Sequence, residues 1–180
     1  MARATFYNKR LLGHIDDIDF TDYQGIGSDP LYKRYKSVES VVKSRILPQY
    51  QSFLSCPFYE DGSIFWYVDE WNDAPQKFTE LSGLEKDRYT SIKAETIKHY
   101  QETLKKLNPE EFSILNGALK YINDEFIYCY DGKVVLIAWG MRLDDSKHTS
   151  EGKWFKTAVR YDKKKISFDL AGHGKLSMSK

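Results

Sequence analysis

Hydrophobic and polar positions along the chain fall into stretches of different period. Leu31, Tyr35, Val38, Val42 and Ile46 share one stripe at about 100° per residue, with Lys33, Lys36, Ser40, Lys43 and Ser44 opposite. Asp29-Pro30 supplies a good cap residue and a proline tolerated at the first helical position, and Pro48 closes the stripe. This pattern predicts a helix over 30–47. Ile92, Thr96, Tyr100, Leu104 and Leu107, with Tyr89 alongside, repeat the helical spacing behind Ser82-Gly83-Leu84-Glu85, which has the form of a capping box. A second helix is predicted over 84–107. Asn108-Pro109-Glu110-Glu111 carries the same starting chemistry and predicts a third over 109–121.

Other stretches read as strands. Ser63 to Asp69 follows the Asp61-Gly62 turn signal and is rich in β-branched and aromatic residues. Phe126 to Tyr130 and Lys133 to Trp139 flank Asp131-Gly132, a pair suited to the positive φ angles of a type I′ hairpin. In that hairpin Tyr130 faces Lys133, Tyr128 faces Val135 and Phe126 faces Ile137, on one side with Trp139. Ile127, Cys129, Val134, Leu136 and Ala138 point the other way. Both faces are apolar, so these strands are expected to be central and covered on two sides. Trp154–Tyr161 and Lys165–Leu170 form a further pair around Asp162-Lys163-Lys164. There Ile166, Phe168 and Leu170 alternate with Ser167 and Asp169, and the lysines protect an edge.

Helices in a block, followed by strands joined by short turns, predict an α+β fold. The expected architecture is an antiparallel sheet of about four to five strands (63–69, 126–130, 133–139, 154–161, 165–170) packed with about three helices (30–47, 84–107, 109–121). Residues 1–29 show no sustained period and read as an N-terminal arm or lead-in, with 30–180 as a single α+β domain.

Composition agrees with a folded chain: 180 residues, 41% apolar and 29% charged. Lys and Arg total 27 against 26 acidic residues, a formal +1, so no overall field gathers polyanions and any charge-driven binding must be local. No run approaches the roughly 18 apolar residues of a membrane span. The first residues, Met1 to Tyr7, lack the apolar core of a signal peptide. Cys56 and Cys129 form no CxxC pair and suit a reducing compartment, which points to a cytoplasmic location. The 13 tyrosines and four tryptophans suit either a tyrosine-rich core or a surface buried against a partner.

Candidate chemistry is sparse. His14, His99, His148 and His173 are scattered, so no metal site and no cofactor are expected. Asp17, Asp19 and Asp22 lack the glycine and distal glutamate of a calcium loop. Gly25-Ile26-Gly27-Ser28-Asp29 lacks the further glycine and lysine of phosphate loops, and Asp29 repels an anion, so a flexible turn is expected. Cys129 reads as a small strand hydrophobe, and nothing near Cys56 in sequence lowers its pKa.

Two constellations remain. Lys33, Lys36 and Lys43 point one way, Arg34 and Arg45 flank the apolar stripe, and Tyr32 lies between them, a set able to hold phosphates and stack bases. The same face suits an acidic protein or an anionic membrane surface, and an ordinary solvated helix face is the plainer reading. If the protein is an enzyme, its acid/base site is expected at His173, between Gly172 and Gly174, with His148 and Asp145. No catalytic signature presents itself, and the reading leans away from an enzyme. The expectation is a non-catalytic protein-interaction or scaffolding domain with a protein partner or a homo-oligomeric state. One form of this is a cytosolic subunit of a larger or membrane-associated assembly. The alternative is a small enzyme or anion-binding domain with a site near His173, or nucleic-acid binding through the basic face of helix 30–47.

Overall fold

Two Asp-Gly pairs turn the chain in the same way. Asp61 and Gly62 have φ of 55° and 82°, and Asp131 and Gly132 have 51° and 76°, the pair of positive angles a type I′ hairpin needs. Each pair lies at the end of its own sheet in the computed structural model, which describes residues 9–144. In chain order the strands are β1 (Lys9–Asp16), β2 (Phe20–Thr21), β3 (Gly25–Ile26), β4 (Asp29–Pro30), β5 (Cys56–Glu60), β6 (Ser63–Asp69), β7 (Gln76–Lys77), β8 (Ile127–Tyr130), β9 (Lys133–Leu136) and β10 (Arg142–Leu143). The α-helices are α1 (Tyr35–Arg45), α2 (Gly83–Leu104) and α3 (Pro109–Ala118). Helices combined with small antiparallel sheets make the fold α+β, as the pattern predicts. The described residues gather into two compact units, 9–22 with 56–70 and 142–144, and 23–55 with 71–141.

The first unit holds an antiparallel sheet in the order β1-β6-β5. Strand 63–69 was expected to share a sheet with 126–139. Instead it pairs with β1 and with β5, so the single expected sheet is replaced by two of three strands each. β1 falls inside the segment read as a lead-in. Its register shifts between Leu11 and Gly13, and both Leu11 and Leu12 are buried, which erases the period-two alternation. β5 carries Pro57 and lies at the sheet edge, where a residue without an N–H is tolerated. The expected strands 154–161 and 165–170 lie outside the described residues.

The second unit holds the other sheet, in the order β7-β8-β9. Its hairpin has the predicted register, with Tyr130 opposite Lys133 and Tyr128 opposite Val135. Phe126 belongs to a 3-10 turn (Asp124–Phe126), yet its carbonyl accepts the Ile137 N–H at 3.0 Å. β9 stops at Leu136 rather than running to Trp139, because Ala138 and Gly140 take φ of 56° and 75° and bend the chain away. Every residue from Phe126 to Tyr130 and from Val134 to Trp139 is buried. Each large apolar side chain among them contributes about 1.5–3 kcal/mol by leaving water. Helix α2 and the 3-10 turn Pro48–Phe53 pack against β9, and α1 packs against α3.

Helix starts follow the sequence only in part. Asp29 does not cap the first helix. It sits in β4, its carboxylate 3.4 Å from Arg34, and a 3-10 turn (Leu31–Arg34) intervenes before α1. The predicted stripe is nonetheless inward, with Leu31, Val38, Val42 and Ile46 buried and Tyr35 half-buried. Ser82 occupies the cap position of α2, but its hydroxyl makes no cap bond. Gly83 has φ of 61°, which turns the cap aside, and Glu85 lies 3.7 Å from Arg88 instead. At α3 the capping box is complete: the Glu111 N–H donates to Asn108 Oδ1 at 2.8 Å, and the Asn108 N–H donates to Glu111 Oε1 at 3.4 Å. Among the described residues no helix is long and apolar enough to cross a membrane.

Candidate functional site

The basic set predicted on helix 30–47 is split by its neighbours. Lys33, Arg34, Lys36, Lys43 and Arg45 are all exposed. Arg34 pairs with Asp29 at 3.4 Å, Lys43 with Glu39 at 3.3 Å, and Arg45 with Glu111 at 3.0 Å. Tyr32 is buried, its ring 5.6 Å from that of Tyr23, so it does not present a stacking face to solvent. The carboxylates Asp29, Glu39 and Glu111 offset much of the local positive charge that a phosphate backbone needs. His173, His148 and Asp145 lie outside the described residues.

The buried reactive groups are enclosed. Cys56 and Cys129 are free thiols in the interior. Burial pushes the Cys129 thiol up to about 12, and the nearby ammonium groups of Lys86 and Lys93 only partly oppose that rise. Lys77 is 1% exposed, with Nζ donating to the Glu125 carbonyl at 2.7 Å and to Tyr128 Oη at 3.2 Å, and lying 4.6 Å from the Tyr128 ring centre. In the first unit a hydrogen bond to Asp17 holds the Tyr59 phenol above its ordinary value. Among the described residues no three His, Cys, Asp or Glu side chains are grouped to hold a metal ion. Gly25-Ile26-Gly27 forms a tight hairpin: β3 pairs with β4, and a Cβ on Gly25 would fall 2.4 Å from the Asp29 oxygen.

A different surface is assembled where α1 ends and α3 begins. The Arg45–Glu111 pair joins those two ends; Leu47, two positions after Arg45, is 49% exposed, and Phe112, next to Glu111, is 42% exposed. The Leu47 N–H donates to His99 Nε2 of α2 at 3.1 Å, and the His99 ring lies 4.8 Å from that of Tyr50. Desolvation holds the His99 imidazole below its ordinary value, with Glu102 raising it and Lys106 lowering it. Sequence reasoning did not single out Leu47, Tyr50, His99 or Phe112. Leu47 off the stripe just before Pro48, and Phe112 in the first turn of a capped helix, were the available signals. Comparison with protein families, with curated proteins and with solved structures gives no match to this chain.

Proposed function

We propose that the protein is a non-catalytic protein-interaction or scaffolding domain, acting in the cytoplasm as a subunit of a larger or membrane-associated assembly. The observation that carries this reading is that two exposed apolar side chains, Leu47 and Phe112, adjoin in sequence the ends that the Arg45–Glu111 ion pair joins. Apolar anchors beside a satisfied charged pair, with the aromatic rings of Tyr50 and His99 close by, are the elements of a small contact surface. The carboxylate pairing of Arg34, Lys43 and Arg45 favours a protein partner over a nucleic acid.

The test compares the wild type with a Leu47→Glu, Phe112→Glu double variant. Both side chains are solvent-exposed, so the variant should keep the thermal midpoint of the parent. The expected result is an assembly, seen by light scattering of the pure protein or by capture from the native cell, that the double variant loses. A pure wild type that is monomeric, with a captured set unchanged by the double substitution, would count against the reading.

A further inference from the structure

Among the hydrogen bonds that hold the turn leaving α1 are four made at Ile46, Leu47, Tyr50 and Gln51. The Tyr50 N–H donates to the Leu47 carbonyl at 2.9 Å, Gln51 Nε2 donates to the Ile46 carbonyl at 2.8 Å, and Tyr100 Oη donates to the Tyr50 carbonyl at 2.7 Å. The fourth is the Leu47 N–H to His99 Nε2 at 3.1 Å. Three of these use carbonyl acceptors, which do not titrate. The fourth uses an imidazole nitrogen, which accepts only while it carries no proton. In the neutral ring Nδ1 therefore holds the hydrogen and Nε2 is bare. The ring is set in place by a tilted contact with Tyr50 at 4.8 Å and 31° and by edge contact at 6.3 Å and 84° with Tyr100.

We propose that His99 is a proton-operated latch on the segment Leu47–Phe53: the neutral ring holds the Leu47 amide, and a proton on Nε2 sets two N–H groups against each other and frees Leu47. The charged groups acting on the ring from its own helix are Glu102 and Lys106, of opposite sign. From the turn the titratable neighbour is Tyr50. At the end of α1 the adjoining charge is Arg45, which Glu111 of α3 neutralises at 3.0 Å. Desolvation lowers the folded-state value of His99 below 6.5. The latch therefore contributes fully above the unfolded value and is lost as pH falls through the lower folded one. Opening is local, because buried Phe53, 5.4 Å from the Tyr100 ring, and the Tyr100 bond to Tyr50 hold the far end of the segment.

The experiment follows the His99 ring resonances and the amide exchange of Leu47 by NMR on the whole chain, from about pH 8 to about pH 5. After correction for intrinsic exchange, Leu47 protection should fall roughly ten-fold or more as His99 titrates, while amides in the β8–β9 hairpin keep theirs. His99→Gln supplies an acceptor that does not titrate, and should remove the pH dependence. His99→Phe keeps a ring against Tyr50 without an acceptor, and should leave Leu47 poorly protected at every pH. Leu47 protection that ignores the His99 titration in the wild type overturns the proposal, as does an equal fall in His99→Gln. The wild-type titration stands alone if a variant does not fold. A latch that fails this test leaves the contact surface at Leu47 and Phe112 untouched, and the reverse also holds.

Discussion

The Asp131 carboxylate accepts the Asn72 N–H at 2.8 Å, and its second oxygen accepts the Asp73 N–H at 3.0 Å. One residue thus turns the β8–β9 hairpin and fastens the loop before β7, where Trp71 meets Tyr130 edge-on at 5.9 Å. These two amides hold the Asp131 carboxyl below the usual carboxylate range. A folded-state value below the unfolded one gives stability that is present above the ordinary aspartate range and lost as pH falls through the folded value. Asp131→Asn should flatten that acid dependence while tolerating the positive φ. Asp131→Ala should cost about 1 kcal/mol more than Asp131→Asn at neutral pH, because alanine is strained there. Urea unfolding of the three proteins at neutral and acid pH checks both statements, and equal midpoints for the two variants would contradict them.

Gly25 and Gly27 bracket the β3–β4 turn but meet different obstacles. A methyl on Gly25 falls 2.4 Å from the Asp29 backbone oxygen, whereas at Gly27, with φ of 61°, nothing lies within 4 Å. Gly25→Ala should therefore destabilise by about 2 kcal/mol or more through a clash that only the backbone can relieve. Gly27→Ala should cost about 1 kcal/mol through its dihedral alone. Thermal melts that rank the two in the opposite order would refute the account.

Trp139 Nε1 donates to the Ser55 carbonyl at 2.9 Å, and Ser55 Oγ donates to the Leu136 carbonyl at 2.8 Å. The Leu136 oxygen also accepts the Ser55 N–H at 3.2 Å, so it keeps a donor when the hydroxyl is removed. Ser55→Ala is expected to cost about 0.5–1.5 kcal/mol. Trp139→Phe leaves a buried carbonyl with its donor gone and a smaller ring in its place, and should cost about 3 kcal/mol or more. Denaturant midpoints at constant slope measure the difference.

Cys56 and Cys129 should both resist a thiol reagent at neutral pH in the native protein and react together on unfolding. Burial pushes the Cys129 thiol up to about 12, so its thiolate is scarce even where the reagent reaches it. Rapid labelling of one cysteine without denaturant, counted by mass spectrometry, would show an opening that the buried positions do not suggest.

Elements specified by local chemistry were legible in the sequence. The Asp131-Gly132 turn fixed its own register, Asn108 and Glu111 closed their capping box, and the stripe from Leu31 to Ile46 turned inward. What escaped depends on distant partners. β1 hides its strand behind the irregularity at Leu12, and β5 hides behind Pro57, which only an edge position accommodates. β7 is two residues long and has no pattern to read. The charge face of helix 30–47 was legible as a list of cations. Glu111, 66 positions from Arg45, was invisible as the partner that offsets one of them. The setting of His99 was hidden for the same reason, since Leu47 lies 52 residues away.

The doubly buried hairpin has a consequence for how its strands find their alignment. In an amphipathic strand a slip of one residue exposes the core face, and water itself enforces the pairing. Here such a slip exchanges Tyr128 and Val135 for Cys129 and Val134, one greasy surface for another. Water cannot tell the two alignments apart. The distinction falls to a few polar marks: the Asp131-Gly132 corner, the Gly132 N–H on Tyr89 Oη at 3.0 Å, and the Lys77 ammonium on Tyr128 Oη and the Glu125 carbonyl. In the most apolar part of the chain, the addressing is done by its scarcest polar atoms.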